Sequence, residues 1–218
     1  MPFDGIPKWA EAFSLSIIEA LRMRDADTAE HCLRVGKYAK LLAQAAGLDP
    51  YQQHIIELSG VFHDVGKIAL PDSILKNPAK LTPEQVIVMQ EHPLKSIQTL
   101  APLMHIPFFR SLVPGIKYHH ERVDGLGYPF QIQGDNIPLT ARIVLIADAY
   151  DAITSSRIYR GARGPQVAYD ELTNHSATQF DAQLVRLFIE SHPKWFKDEK
   201  EESYESQKSI TRFIKNAG

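Results

Sequence analysis

Nine histidines are spread through the 218 residues. Five of them stand where chemistry is easier to argue than packing: His31, His63, His92, His119 and His120. His63 closes an apolar run and is followed at once by Asp64, and Val-Gly-Lys comes next, placing Lys67 beside them. A carboxylate set against a core is costly unless something compensates its charge. A bound cation would do so. Asp148 repeats the argument, because Val144 and Leu145 lie one helical turn before it and Ala152 one turn after, so its face should be buried. His31 has Val35, Tyr38 and Leu42 continuing its face at steps of three or four. The neighbours His119 and His120 would point about 100° apart on a helix, so one apolar face cannot absorb both. Singly these residues have ordinary explanations, a helix cap at His63-Asp64 or a satisfied core histidine at His31. As a set they do not. His54, His105, His175 and His192 lack such company and are expected to be surface or capping histidines.

Imidazole and carboxylate without thiolate suit iron, manganese or zinc rather than an iron–sulfur cluster or Cu(I). The donors are too many for one tetrahedral zinc. The adjacent histidines fit two metals side by side, each histidine serving one. A two-metal site activates a bridging water and stabilises in-line displacement at phosphorus. The residues therefore point to metal-dependent phosphoester hydrolysis.

The elements that must position these groups read as helical nearly throughout. Residues 14 to 46 carry apolar positions at helical spacing, with a break near Asp25 to Thr28 and a stop at Gly47. Asp49-Pro50 reads as an N-cap with proline at the first helical position, opening a helix that ends near HDVGK. Thr82-Pro83-Glu84-Gln85 combines an N-cap, an N1 proline and a capping-box glutamine, and it predicts one helix running to Leu100 with a bend at Pro93, after His92. A short helix is expected over Gly115 to Glu121, then the loop DGLGYPFQIQGDNIP. There the glycines permit positive φ, Asp124 accepts turn hydrogen bonds, and Glu121 is a candidate acceptor orienting a ligand histidine. PLTARIVLIADAYDAITSSR is a strongly apolar helix, and a last helical region spans Gln166 to Ile189. The fold class is all-α, with one domain over residues 1–193 and a polar tail over 194–218, a solvated helix or partly disordered.

Composition is that of a soluble globular chain, 44% hydrophobic and 23% charged, with net charge −2. That balance argues against wrapping long nucleic acid, which needs a basic face. The single cysteine, Cys32, rules out an internal disulfide and reads as a small core residue. No apolar run approaches a membrane span, and MPFDGIPKWAEAF lacks the layout of a secretory signal. No membrane partner and a cytoplasmic location are expected.

The ordered motifs RDADTAEHCLRV (24 to 35), HDVGKIALPDSIL (63 to 75), EHP around His92, HHERVDGLGYP, IPLTARIVLIADAYDAITSSRIYR (137 to 160) and FDAQLV (180 to 185) resemble the HD-GYP family of the HD superfamily, from about Arg24 to Ile189. The resemblance implies an HD-domain helical bundle extended by additional helices and a GYP loop. It also implies a phosphodiesterase that converts cyclic di-GMP to pGpG and GMP, some relatives preferring cyclic GMP-AMP. The metal ligands it carries over are His31, His63, Asp64, His92, His119, His120 and Asp148, with Asp64 bridging two divalent metals, iron or manganese, that hold the attacking hydroxide. Asp64 and Lys67 would be the catalytic residues. Lys67, Tyr128, Arg157 and Arg160 would contact the substrate. A protein partner at the GYP loop, for example a GGDEF-type protein, and a homodimer belong to the same expectation. Relatives are often joined to receiver domains, for which this chain has no room, so the partner is expected to be separate. The alternatives are a catalytically weak module that binds cyclic di-GMP or docks a partner, and an HD phosphohydrolase for another nucleotide such as cyclic GMP-AMP.

Some positions depart from the family pattern. Trinuclear members carry a glutamate four residues before the first ligand histidine, where this chain has Asp27, a candidate ligand to a third metal. Ser96 stands where many members have glycine. Arg160 replaces a frequent lysine and Ile158 a frequent proline. Arginine binds phosphate well, so these changes are expected to tune affinity.

Overall fold

The structure, a computed structural model, describes residues 8–155 and 163–195. They form ten α-helices: α1 (Lys8–Arg24), α2 (Ala26–Ala45), α3 (Pro50–Phe62), α4 (Asp72–Leu75), α5 (Pro83–Met89), α6 (His92–Thr99), α7 (Pro107–Lys117), α8 (Leu139–Thr154), α9 (Pro165–Asn174) and α10 (Ala182–Trp195). Short 3-10 turns cover Val65–Ala69, Ala101–Leu103 and Gly134–Asn136. Among the described residues there is no strand, only an isolated bridge between Ser176 and Phe180. The all-α expectation holds. No helix among them is long and apolar enough to cross a membrane. Residue 195 ends α10, and the rest of the polar tail lies outside the described residues.

The caps behave as their residue types require. Asp25 starts α2, its carboxylate accepting from Thr28 N. Asp49 with Gln52, and Thr82 with Gln85, form complete capping boxes, each with proline in the first turn. Gly47 has φ +73, a left-handed C-terminal stop.

Three helix assignments are corrected. The segment from Thr82 to Leu100 is two helices, not one bent helix. Glu91 N donates to Val88 O at 3.2 Å as the first helix tightens and ends, and Pro93 sits in the first turn of α6, where its missing N–H costs nothing. The helix before the paired histidines runs Pro107–Lys117 and stops short of them. It buries Phe108, Phe109, Leu112 and Ile116, and Tyr118 leaves the helical region at φ −115. The region Gln166 to Ile189 is also divided. His175 O accepts from Gln179 N and Phe180 N, closing a turn. Asp181 Oδ1 then takes the N–H groups of Gln183 and Leu184 to start α10.

The core has two clusters, and α2 borders both. Ala29 and Cys32 pack with α1, α3, α7 and residues 100–106, while Val35, Ala39, Leu42 and Ala43 pack with α8, α9 and α10. Cys32 is a buried core residue, as expected. Close approach of α2 and α3 depends on glycine. A Cβ on Gly60 would lie 2.9 Å from Gly36 Cα, and one on Gly36 would lie 2.9 Å from Glu57 O. A Cβ on Gly115 would likewise meet Ser59 Cβ at 2.5 Å where α7 crosses α3. This tight stack brings the C-terminal ends of α3 and α7 beside the middles of α2 and α8. His192, expected at the surface, is buried at 1% exposure. Its ring lies among Tyr38, Tyr150, Tyr169, Phe188 and Trp195.

Candidate metal centre

His31 comes from the second turn of α2 and Asp148 from α8. His63 and Asp64 sit where α3 gives way to the 3-10 turn that carries Lys67. His92 is the first residue of α6. His119 and His120 occupy the turn after α7. The structure brings all seven together in two groups. His31, His63 and Asp64 offer ligand atoms within 4.8 Å of one another, and so do His92, His119 and His120. Asp148 joins the first group, with Oδ1 3.0 Å from His31 Nε2 and 4.0 Å from His63 Nε2.

Asp64 spans the two groups. Its Oδ2 lies 3.3 Å from His63 Nε2 and 3.8 Å from His31 Nε2, while its Oδ1 lies 3.1 Å from His92 Nε2. The expectation that His119 and His120 serve one metal each is corrected, since both belong to the group of His92. Adjacent side chains can converge because they follow the helix rather than lie on it. Their ring centroids are 4.1 Å apart.

Hydrogen bonding fixes which ring nitrogen is available. Nδ1 of His63 lies 2.6 Å from Gly60 O, that of His92 2.8 Å from Met89 O, and that of His119 2.7 Å from Ile116 O. A carbonyl only accepts, so each Nδ1 carries the proton, and the rings that stay neutral, His92 and His119, present a lone pair at Nε2. The lone pairs of His92 and His119 face each other. His92 Nε2 is 3.1 Å from His119 Nε2 and 3.1 Å from His120 Nε2. Acceptors pointed at acceptors repel unless a cation lies between them. His63 Nε2 and Asp64 Oδ1 are fully buried without a hydrogen-bond partner, and such orphaned polar atoms are costly. Both observations fit divalent metal ions.

The charge balance agrees. Burial, with His120 and other ring charges adding to it, holds His119 well below the usual histidine range. Burial also pushes His92 down to about 3 and His120 down to about 4. These three are neutral ligands at pH 7. In the first group, burial opposes charge on His63, but Asp64 and Cys32 outweigh it and hold the imidazole well above its ordinary range. Burial likewise opposes charge on Asp64 and Asp148. For Asp64, His63, Lys67 and His92 reverse the effect, and for Asp148, His31 does, so both carboxyls sit well below the carboxylate range. Both carboxylates of the first group are therefore ionised at neutral pH.

The supporting shell contains residues that sequence reasoning missed. Asp151, 1% exposed, takes His31 Nδ1 at 2.7 Å. Its signal was legible as a second carboxylate three residues after Asp148 on the same apolar helix. Ser96 Oγ is buried, donates to His63 O at 2.7 Å and accepts from Gly66 N at 2.8 Å. It ties the HDVGK turn to α6, a polar task no glycine could perform. The reading of Glu121 as a partner of a ligand histidine is not supported by its contacts. Its carboxylate accepts from Phe130 N at 2.7 Å and Ile132 N at 3.1 Å, and so pins the GYP loop.

That loop turns back onto the site. Gly125 has φ +79, and Asp124 Oδ1 accepts from Leu126 N at 3.0 Å. Gly127 has a different role, because any Cβ there would overlap the main chain of residues 120–122. Asp124 N donates to Thr178 O at 2.9 Å, anchoring the loop on the turn between α9 and α10. Tyr128 N reaches His120 O at 3.1 Å, and the phenol ring stacks on His120 with centroids 4.6 Å apart. Burial, with Asp64 and Asp148 nearby, pushes the Tyr128 phenol far above its ordinary value, so it is a hydrogen-bond donor at any working pH. Lys67 Nζ lies 2.5 Å from Asp64 Oδ2. Asp27 is exposed in the first turn of α2 and stands in neither group. Arg157 and Arg160, with Ile158, lie outside the described residues.

A family model described as HD domain matches residues 16–184. The chain is 36% identical over 193 residues to a cyclic di-GMP phosphodiesterase of Vibrio cholerae, covering 83% of this chain and 39% of that protein. It is 35% identical over 179 residues to 3'3'-cGAMP-specific phosphodiesterase 2 of the same organism, covering 80% and 33% respectively. The chain therefore spans less than half the length of these two relatives. The crystal structure of a cyclic GMP-AMP specific phosphodiesterase of Vibrio cholerae aligns with a TM-score of 0.66 at 21% identity, covering 92% of this chain and 53% of that one. At that identity the likeness speaks for the fold alone.

Proposed function

The chain belongs to the HD domain family, and from that premise we propose that it is a metal-dependent phosphodiesterase that hydrolyses cyclic di-GMP to linear pGpG. The observation that carries the reading is the sharing of Asp64 between two groups of buried Nε2 lone pairs. Two divalent ions, iron or manganese, would be held there, by His31, His63, Asp64 and Asp148 on one side and by His92, His119, His120 and Asp64 on the other. Ions so placed supply a water nucleophile at neutral pH and charge stabilisation at phosphorus. Asp27, one turn before His31 on α2, is the residue a third ion would use.

The chain's own residues do the rest. Lys67, gripping Asp64, offers an ammonium donor to a phosphate oxygen and offsets charge that develops there. Tyr128, held over His120 by the pinned loop, donates its phenol proton in a hydrogen bond to the phosphate. Arg157 and Arg160 are further phosphate ligands in this reading. A cytoplasmic location follows from the substrate. A homodimer and a protein partner of GGDEF type at the GYP loop complete it, with Leu126 at 75% and Phe130 at 46% exposure offering apolar contact there.

The test is to purify the protein anaerobically, count its metals by elemental analysis, and follow cyclic di-GMP and cyclic GMP-AMP by chromatography. Two metals per chain and production of pGpG are expected, and GMP would mark a second cleavage. Faster turnover of cyclic GMP-AMP would reassign the substrate, a reading favoured by the likeness to the cGAMP-specific relative. Binding of cyclic di-GMP with no product over hours would overturn the enzyme reading and leave a binding module.

A further inference from the structure

His63, His92 and His119 each rest Nδ1 on a main-chain carbonyl a turn earlier. His31 instead rests it on a side chain, Asp151, 120 residues away in sequence. A main-chain carbonyl is held by its helix. A carboxylate on a rotatable side chain is not, and needs its own clamp. Arg34, one turn after His31 on α2, supplies one. Its Nε lies 2.6 Å from Asp151 Oδ1 and its Nη2 3.0 Å from Oδ2, a two-point grip that fixes the plane of the carboxylate. Ser155 Oγ adds a donor to Oδ1 at 3.0 Å. The carboxylate is 1% exposed, whereas the Arg34 side chain is 40% exposed.

We propose that Arg34 is a positioning residue for the first metal group. By clamping Asp151 it fixes the ring plane of His31 and aims Nε2 at the position beside Asp64 and Asp148. This rests on the two-metal reading above and goes beyond it by making the two groups unequal. His92, His119 and His120 have no link to Arg34 in the contacts described, so the clamp acts on one group only. Partners of ligand histidines typically change metal affinity about ten- to a hundredfold when removed.

The test uses Mn(II) alone, measured by equilibrium dialysis with elemental analysis, in two backgrounds of the full chain. His119→Ala weakens the second group and leaves the first. Asp148→Ala weakens the first and leaves the second. Arg34→Gln is expected to lower Mn(II) affinity about ten- to a hundredfold in the His119→Ala background and to leave it unchanged in the Asp148→Ala background. Arg34→Lys, which keeps the charge but not the fork, is expected to recover part of the loss, and it carries the test should the glutamine variant fail to fold. Unchanged affinity in the His119→Ala background, or an equal loss in both, overturns the proposal. If neither parent background binds Mn(II), the two-group reading itself fails and the proposal with it.

Discussion

Asp64 and His92 meet as acceptor against acceptor, with Oδ1 3.1 Å from Nε2. The His92 proton is already committed to Met89 O, so no hydrogen bond can join them, and the contact is stable only with a cation between. The other carboxylate oxygen lies 3.3 Å from His63 Nε2. One side chain therefore belongs to both halves of the centre, which sets what its removal should do.

Asp64→Ala is expected to remove both metals, not one, and to abolish phosphodiesterase activity. Elemental analysis of the purified variant decides the point. Retention of full metal content would contradict the shared carboxylate.

Tyr128→Phe should separate metal binding from substrate binding. The stacked ring remains on His120, so metal content should match the parent. Loss of one hydrogen bond to a charged phosphate should slow turnover about ten- to a hundredfold. A variant as fast as the parent would remove Tyr128 from the substrate site.

Glu121→Gln tests the pin under the loop. Phe130 N and Ile132 N donate to different carboxylate oxygens, so the amide keeps one acceptor and sets an NH2 donor against the other main-chain N–H, at a cost of about 1–3 kcal/mol. The expected result is faster amide hydrogen exchange over residues 126–132 and a raised KM, with metal content unchanged. Loss of metal would show instead that Glu121 supports the histidines.

His192 should make the fold acid-sensitive through a group remote from the metals. Burial pushes its imidazole down to about 4 from an ordinary value of 6.5. The folded protein keeps it neutral while the unfolded chain protonates it. Its contribution is therefore complete above about pH 6.5 and falls as the pH drops towards about 4, by at most about 1.4 kcal/mol per pH unit. The tyrosines Tyr38, Tyr150 and Tyr169 around it are neutral throughout that range. Chemical denaturation of wild type and His192→Phe across that window should give a stability difference that shifts in favour of the phenylalanine as the pH falls. A pH-independent difference would refute the assignment.

Much of the centre was legible in the sequence because buried charge is conspicuous against apolar periodicity. Asp64 and Asp148 stood out in that way, and the N-caps at Asp49 and Thr82, each followed by proline, set two helix starts to the residue. What was not legible depended on contacts distant in sequence. Glu121 was assigned to a histidine because it adjoins two, yet its partners are main-chain amides nine and eleven residues onward. Asp151 was overlooked because its partners, His31 and Arg34, lie 120 and 117 residues earlier in the chain. His192 looked exposed because nothing near it in sequence reveals the aromatic cage that α2, α8, α9 and α10 build around it. The helix before His119 was placed too late because its prolines, Pro107 and Pro114, resemble loop punctuation in a segment whose four large apolar side chains are core.

The ligands extend from residue 31 to residue 148, so an unfolded chain cannot present them together. An ion bound at this centre recognises only the folded state, and by mass action it adds to global stability, about 2.7 kcal/mol when free metal stands at a hundred times its dissociation constant. Metal supply would then set how long the protein survives as well as how fast it works. Depleting the metal would lower the unfolding temperature of the whole domain, including helices that hold no ligand.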